Sequence, residues 1–502
     1  MGVRAIGWLL LGSMTVGACT VGGDPSGTAA ARPDATTTTS STTTTVPATA
    51  AEATPPGSAG APGLGDELIP TAGNGGYDVD HYDLEFDLTS PSGDLAGETT
   101  ISADATQPLS SFNLDFQGFV IQELTVNGEQ AEYSRSGHEL TITPSTALES
   151  GESFTAAVSY LGTPEAVADP SAPGELGWLE GEAGSFVVAE PTGAKAVFPS
   201  NDHPADKATF TIEVVVPDGV TVAANGSLDE VRPEGDAQRW VFSDDAEMAT
   251  YLLQVAIGDY RVTETVGPDG LVLRSVTPSR AGPEIDVQSL HLDATAQLRF
   301  FARHFGPYPF DNYGLLIADS PPEFALETQT LSILPYLWFT LPEGLAPPIS
   351  AVAAHELAHQ WFGNSVTLDR WNDIWLNEGF ATYAEWMWED ESGARPLADN
   401  VASAMADARR TRQRDGALTS PAVDDLFSQN QYGGGAVVLE ALRRTVGDDT
   451  FFTILREWAG RNAGQSASTA DFQALASELS GQDLSSFFDA WVRSDTLPQL
   501  PG

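Results

Sequence analysis

Between Tyr77 and Val262 hydrophobic and polar residues alternate with a period of two. Tyr82, Leu84, Phe86 and Leu88 interleave with Asp83, Glu85 and Asp87, the pattern of a strand with one face in a core and one in water. The same reading predicts strands at residues 99–103, 120–126, 140–143, 154–160, 210–216 and 251–257. Turn pairs such as Asn127-Gly128 and Asn225-Gly226 separate them. Residues 71–262 therefore read as an all-β domain, a sandwich or a saddle-shaped sheet. Beyond 262 the period changes. Residues 285–305 place apolar side chains at helical spacing, Gly306-Pro307 breaks that run, residues 313–318 read as a strand, and helical patterns dominate from 351 onward. Residues 263–502 are expected to form an α+β domain with strands early and helices late.

The first seventy residues belong to neither pattern. Arg4 precedes an apolar run from Ala5 to Val16 that is too short to span a bilayer, followed by Gly17-Ala18-Cys19. Residues 1–18 read as an export signal, and Val16-Gly17-Ala18-Cys19 resembles a bacterial lipobox, in which the cysteine is lipidated; plain secretion is the alternative. Residues 19–70 are rich in Thr, Ala, Pro, Gly and Ser, with little that is large and apolar to offset ordering entropy. They are expected to act as a disordered tether, O-glycosylated or simply flexible.

Charge narrows the partners. The chain carries 23 Lys plus Arg against 70 Asp plus Glu, a formal net charge of −47. No basic surface is available to displace counterions from nucleic acid or to hold anionic headgroups. Membrane association is expected only through a lipid on Cys19, and the protein is expected to act as a monomer. With a single cysteine no disulfide can form within the chain.

The candidate chemistry lies in residues 355–359, His-Glu-Leu-Ala-His. Ser350 is placed to cap a helix that opens with Ala-Val-Ala-Ala, and Gly363 is a natural stop after it. On a helix positions i and i+4 share a face, so His355 and His359 can present two imidazoles to one Zn2+ ion, with Glu356 beside it as a general base. Only seven histidines occur in the whole chain, which makes this grouping improbable by chance. A third protein ligand leaves the fourth position open. Glu378 is the candidate, separated from His359 by eighteen residues and set among Trp375, Leu376, Phe380 and Tyr383, where a carboxylate requires a cation.

The run from His355 through Gly363, followed by Trp375-Leu376-Asn377-Glu378-Gly379-Phe380-Ala381, resembles the zinc aminopeptidases of peptidase family M1. Phe198-Pro199-Ser200-Asn201-Asp202-His203-Pro204 and Ala223-Ala224-Asn225-Gly226 are similar to that family's N-terminal β-domain. The resemblance runs from about Tyr77 to the C-terminus and implies a saddle-like β-domain followed by a thermolysin-like α+β zinc metallopeptidase domain, in a short two-domain form. It also implies roles for three further residues. Glu327, in Phe324-Ala325-Leu326-Glu327-Thr328, would bind the free α-ammonium group of a peptide, with Phe324 and Thr328 departing from the family's Gly and Asn. Glu190 would supply a second contact to that amine, and Tyr432, ahead of Gly433-Gly434-Gly435, would stabilise the tetrahedral intermediate.

The implied activity is hydrolysis of the N-terminal residue from peptides with a free amino terminus, by a metal-activated water. Two alternatives stand beside it: a zinc endopeptidase or other zinc hydrolase, and a non-catalytic surface lipoprotein whose β-domain binds a partner. His203 reads as a structural turn residue rather than a ligand. Glu385, seven residues after Glu378, is placed to orient a histidine ligand but is not distinguished by sequence from a solvated carboxylate.

Overall fold

The structure, a computed structural model, describes residues 57–319, 324–342 and 344–502. The export signal, Cys19 and most of the expected tether lie outside the described residues. The tether ends earlier than expected, because residues 57–70 are part of the folded body. Ser58–Ala59 pairs with Leu109–Asp115 as a short parallel strand. Asp66 is buried, its Oδ1 accepting from the amides of Leu68 and Ile69 at 2.7 and 2.8 Å and its Oδ2 from that of Trp371 at 2.9 Å. A segment poor in apolar residues is held here by hydrogen bonds to a buried carboxylate, a feature that hydropathy does not register.

Alternation predicts the main sheet well. Tyr77–Asp87, Leu95–Ala105, Ser153–Gly162 and Lys207–Pro217 lie within an eight-stranded sheet, with Tyr82, Leu84 and Phe86 on its buried face. A second sheet of five strands contains Glu175–Glu180, Gly184–Val188, Thr221–Ala224 and Val255–Gly258. The predicted strand at 251–257 is shorter than expected, since Thr250–Leu252 forms a 3-10 turn. Tyr260–Val266 pairs with Val272–Pro278, so it joins the sheet of the second domain rather than the β-domain.

The four-stranded sheet of the second domain continues in parallel from Val272–Pro278 to Asn312–Ala318 and Ser332–Pro335. Helices complete the domain, among them Val287–Phe305, Ile349–His359, Trp375–Ser392 and Gly435–Val446. Among the described residues no helix is long and apolar enough to cross a membrane.

Two packing features position the site. Leu176, Phe186, Val188 and Ala256 of the five-stranded sheet share one apolar cluster with Val276, Leu316, Leu326 and Ile333 of the second domain. Burial of this seam fixes the end of Gly184–Val188 next to the segment that begins at Leu326. Polar contacts lock the same junction. Asn225 Nδ2 donates to the Gln329 carbonyl at 2.6 Å, the Gly226 amide donates to Thr330 Oγ1 at 2.8 Å, and Lys207 Nζ donates to the carbonyls of Asn364 and Ser365 at 2.9 and 3.0 Å.

Candidate active site

Ile349–His359 is buried along almost its whole circumference, which suits its run of alanines. The expected cap is not made. Pro348 stands at the N-cap, and Ser350 lies inside the helix, where its hydroxyl accepts from Trp388 Nε1 at 3.1 Å and its carbonyl from Gln297 Nε2 at 2.8 Å. The opening is held instead by the Pro348 carbonyl, which accepts from the amides of Ala351 and Val352 at 2.9 and 3.1 Å. The helix ends at His359, before Gly363. Gly363 has φ +128°, and a Cβ there would stand 3.1 Å from His359 Nδ1, so this position, four residues past the helix, favours glycine on both counts.

One turn apart, the rings of His355 and His359 have centroids 4.8 Å from each other. Glu378 comes from the first turn of Trp375–Ser392, which packs on the His-bearing helix. Its Oε2 lies 3.3 Å from His355 Nε2 and 3.6 Å from His359 Nε2. Ligands about 2.0–2.1 Å from a tetrahedral zinc ion are about 3.4 Å from one another, so these separations fit one ion among three atoms. The outer ring nitrogens are occupied as metal ligation requires: His359 Nδ1 is 3.1 Å from the Phe362 carbonyl and His355 Nδ1 is 3.3 Å from Glu385 Oε2. Glu385 thus does what its spacing allowed. Burial pushes the Glu378 carboxyl up, but its bonds to His355 and His359 outweigh burial and bring it down to about 2.

The other predicted carboxylates converge on the same place. Glu327, Glu356 and His359 have ligand atoms within 4.8 Å of one another, and so have Glu190, Glu327 and Glu378. All are buried, and Oε1 of both Glu190 and Glu327 lacks a hydrogen-bond partner. Burial pushes Glu190 and Glu327 up, with neighbouring carboxylates adding to it at Glu190 and His359 opposing it at Glu327. Glu356 rises to about 8, through burial first, with His355 and His359 opposing it. Such a set of anions in a dry site calls for cations that a metal ion and a substrate ammonium would supply.

Glu327 is held by its backbone. Leu326 bridges Ile333 in antiparallel fashion at the edge of the second domain's four-stranded sheet. Gln360 Nε2 and Asn364 Nδ2, from just beyond the His-bearing helix, donate to the Glu327 carbonyl at 3.1 and 2.7 Å. Gln360 Oε1 also accepts from the Thr330 amide at 2.9 Å. Neither Gln360 nor Asn364 was singled out by sequence, though Gln360 sits directly after the second histidine. Thr328, where the family has Asn, bonds the Leu331 carbonyl and closes a local turn, while Phe324 packs at the edge of the interdomain apolar seam.

Tyr432 lies in a π-helical turn, Asn430–Gly434, its ring stacked on His355 at 6.0 Å between centroids. Its approach depends on two glycines. A Cβ on Gly379, the residue after Glu378, would stand 2.8 Å from Gly435 Cα, and one on Gly435 would meet Gly379 at the same distance. His203 is not near this group: it is buried against Asp66, its Nε2 3.3 Å from Oδ2, and its Nδ1 accepts from the Ala205 amide at 3.1 Å. That is the structural role expected of it.

Two family models match the chain, the peptidase M1 N-terminal domain over residues 78–252 and the peptidase family M1 domain over residues 290–491. Probable aminopeptidase 1 of Sulfurisphaera tokodaii is 25% identical over 449 residues, covering 84% of this chain and 54% of that protein. Aminopeptidase N of Streptomyces lividans is 27% identical over 450 residues, covering 83% of this chain and 50% of that protein. The chain therefore spans about half the length of these relatives. The crystal structure of an M1 zinc metallopeptidase from Deinococcus radiodurans matches with a TM-score of 0.78 and 31% identity, covering 88% of this chain and 99% of that one. A mutant of that metallopeptidase has been crystallised with a Tyr-Ser-Ala substrate.

Proposed function

The chain belongs to peptidase family M1, and from that premise together with the geometry we propose that it is a zinc-dependent aminopeptidase, removing the N-terminal residue from peptides whose amino terminus is free. The observation that carries this reading is the placement of two buried carboxylates, Glu190 and Glu327, each with an oxygen that accepts no hydrogen bond, beside the His355–His359–Glu378 cage. An exopeptidase must recognise one terminal positive charge, and fixed carboxylates in a site excluded from water do so strongly.

His355, His359 and Glu378 would hold the zinc ion, which when bound supplies Lewis-acid polarisation of a carbonyl and lowers the pKa of water. Glu356 takes the proton of the attacking water on its carboxylate and delivers it to the leaving amine. A divalent cation held beside it would favour the ionised form that a base needs. Tyr432 donates its O–H where negative charge develops on the substrate oxygen. Glu327 and Glu190 bind the α-ammonium, and Gln360 and Asn364 hold the Glu327 backbone so that the first peptide bond alone reaches the cage.

The test is a panel of aminoacyl chromogenic substrates, free and N-acetylated, run on wild type and Glu356→Ala. The reading expects cleavage of the free set alone, abolished in the variant. Comparable cleavage of the blocked set would instead assign an endopeptidase.

We infer further that the chain is exported and anchored by lipid on Cys19 at the outer face of a bacterial cell membrane, and works there as a monomer. Support comes from Val16-Gly17-Ala18-Cys19, which carries the chain's single cysteine. Release of Cys19→Ser from the membrane fraction into the medium is the expected result; membrane retention of the variant would refute the anchor.

A further inference from the structure

A second group of metal-ligating side chains lies in the β-domain and shares no residue with the cage. Leu109–Asp115 pairs with Glu139–Thr143 so that Asp115 stands directly opposite Glu139. Two carboxylates facing each other across neighbouring strands repel, and burial strengthens the repulsion. His138, one residue before, completes the group: one ligand atom from each of Asp115, His138 and Glu139 lies within 4.8 Å of the others. His138 Nε2 is 3.8 Å from Asp115 Oδ1.

The independent observation is an unmet demand for charge. Asp115 is only 1% exposed, yet its Oδ1 has no hydrogen-bond donor, and neither has Glu139 Oε1. The other oxygen of Asp115 is fully used. Oδ2 accepts from the Gly73 amide, Asn74 Nδ2 and the Asp202 amide, all at 3.1 Å, so the side chain cannot turn to satisfy Oδ1. The nearby buried cation is engaged elsewhere, Lys195 Nζ donating to Thr192 Oγ1 at 2.8 Å and to Asp169 at 3.4 Å. His138 keeps a partly exposed side chain, which gives an ion a way in. The Thr71 carbonyl, 3.4 Å from His138 Nε2, offers a further oxygen.

We propose that Asp115, His138 and Glu139 form a second divalent-cation site, structural in role, which joins the paired strands to the turn at residues 71–74. One imidazole with two carboxylates and a carbonyl suits ions of the Mn2+ and Zn2+ kind rather than a soft thiolate-seeking metal. The ion would brace a junction already centred on Asp115, because Asp115 Oδ2 holds both the 73–74 turn and the Asp202 amide.

The experiment uses the full chain stripped with chelator and titrated calorimetrically with Zn2+ alone, and separately with Mn2+ alone. Wild type is expected to bind about two zinc ions per chain, and His138→Ala and the near-isosteric Glu139→Gln about one each. Melting temperature should rise with Mn2+ in wild type and much less in either variant, while both variants keep the peptidase rate of wild type once zinc is supplied. Binding of a single zinc ion by wild type, or an unchanged second ion in both variants, would overturn the proposal. A single ion with no metal-dependent stabilisation would mean that a shared proton, not a metal, relieves the Asp115–Glu139 pair. Loss of the cage ion alone would leave this site intact, so failure of the aminopeptidase reading is separately visible.

Discussion

Replacing Asp66 by Asn should loosen the junction on which the active site is built. The carboxylate receives the amides of Leu68, Ile69 and Trp371, and faces His203. Trp371 is fully buried against Tyr251 in the β-domain core and belongs to the short turn leading into the Glu378 helix. Burial pushes the Asp66 carboxyl up, but the His203 bond and the three amides outweigh it and bring it down from 3.8 to about 2. A folded-state value below the unfolded one stabilises the fold above the unfolded pKa, and that stability disappears as pH falls through the folded value. At about 1.4 kcal/mol per pKa unit, the carboxylate contributes about 2.5 kcal/mol at neutral pH, and about half of it remains at pH 3. Denaturant unfolding followed by tryptophan fluorescence measures this directly. Asp66→Asn should lose about 2–3 kcal/mol at pH 7, and the gap to wild type should shrink to about half by pH 3. A gap of the same size at both pH values, or no gap at pH 7, would refute the electrostatic argument.

Three further outcomes are expected. Glu327→Gln keeps the shape but loses a charge-assisted bond to the substrate ammonium, so kcat/KM for free aminoacyl substrates should fall about 10- to 100-fold, with zinc content unchanged. Glu385→Gln weakens the group that faces His355 Nδ1, and equilibrium dialysis should show zinc affinity reduced about 10-fold or more. Gly379→Ala inserts a methyl 2.8 Å from Gly435 Cα; differential scanning calorimetry should show a destabilisation of about 1–3 kcal/mol, together with a fall in kcat as Tyr432 is pushed from His355.

How far the chain could be read depends on the kind of signal. The spacing of His355, His359 and Glu378 was legible because helical geometry alone places two histidines on one face, and a carboxylate among tryptophans requires a cation. Glu327, Glu190 and Tyr432 were reachable only through resemblance, since each comes from a different element and only tertiary packing unites them. Gln360, Asn364 and the glycine pair Gly379–Gly435 were not distinguished, because their work is to hold backbone or permit close approach, and neither leaves a periodic trace. Alternation located strands with one wet face, such as Tyr77–Asp87, but not Glu175–Glu180, whose four central residues are all buried, or Ser227–Glu234, which is exposed throughout. Residues 57–70 read as tether because their anchoring is polar, through Asp66, and such a segment has the composition of a linker.

The central claim is that two histidines of one helix and a glutamate of the next share one zinc ion. Zinc-edge anomalous diffraction from crystals of the zinc-loaded chain tests it most directly. The account predicts a peak about 2.0–2.2 Å from His355 Nε2, His359 Nε2 and Glu378 Oε2 together. Full zinc loading with no peak among those three atoms would contradict it.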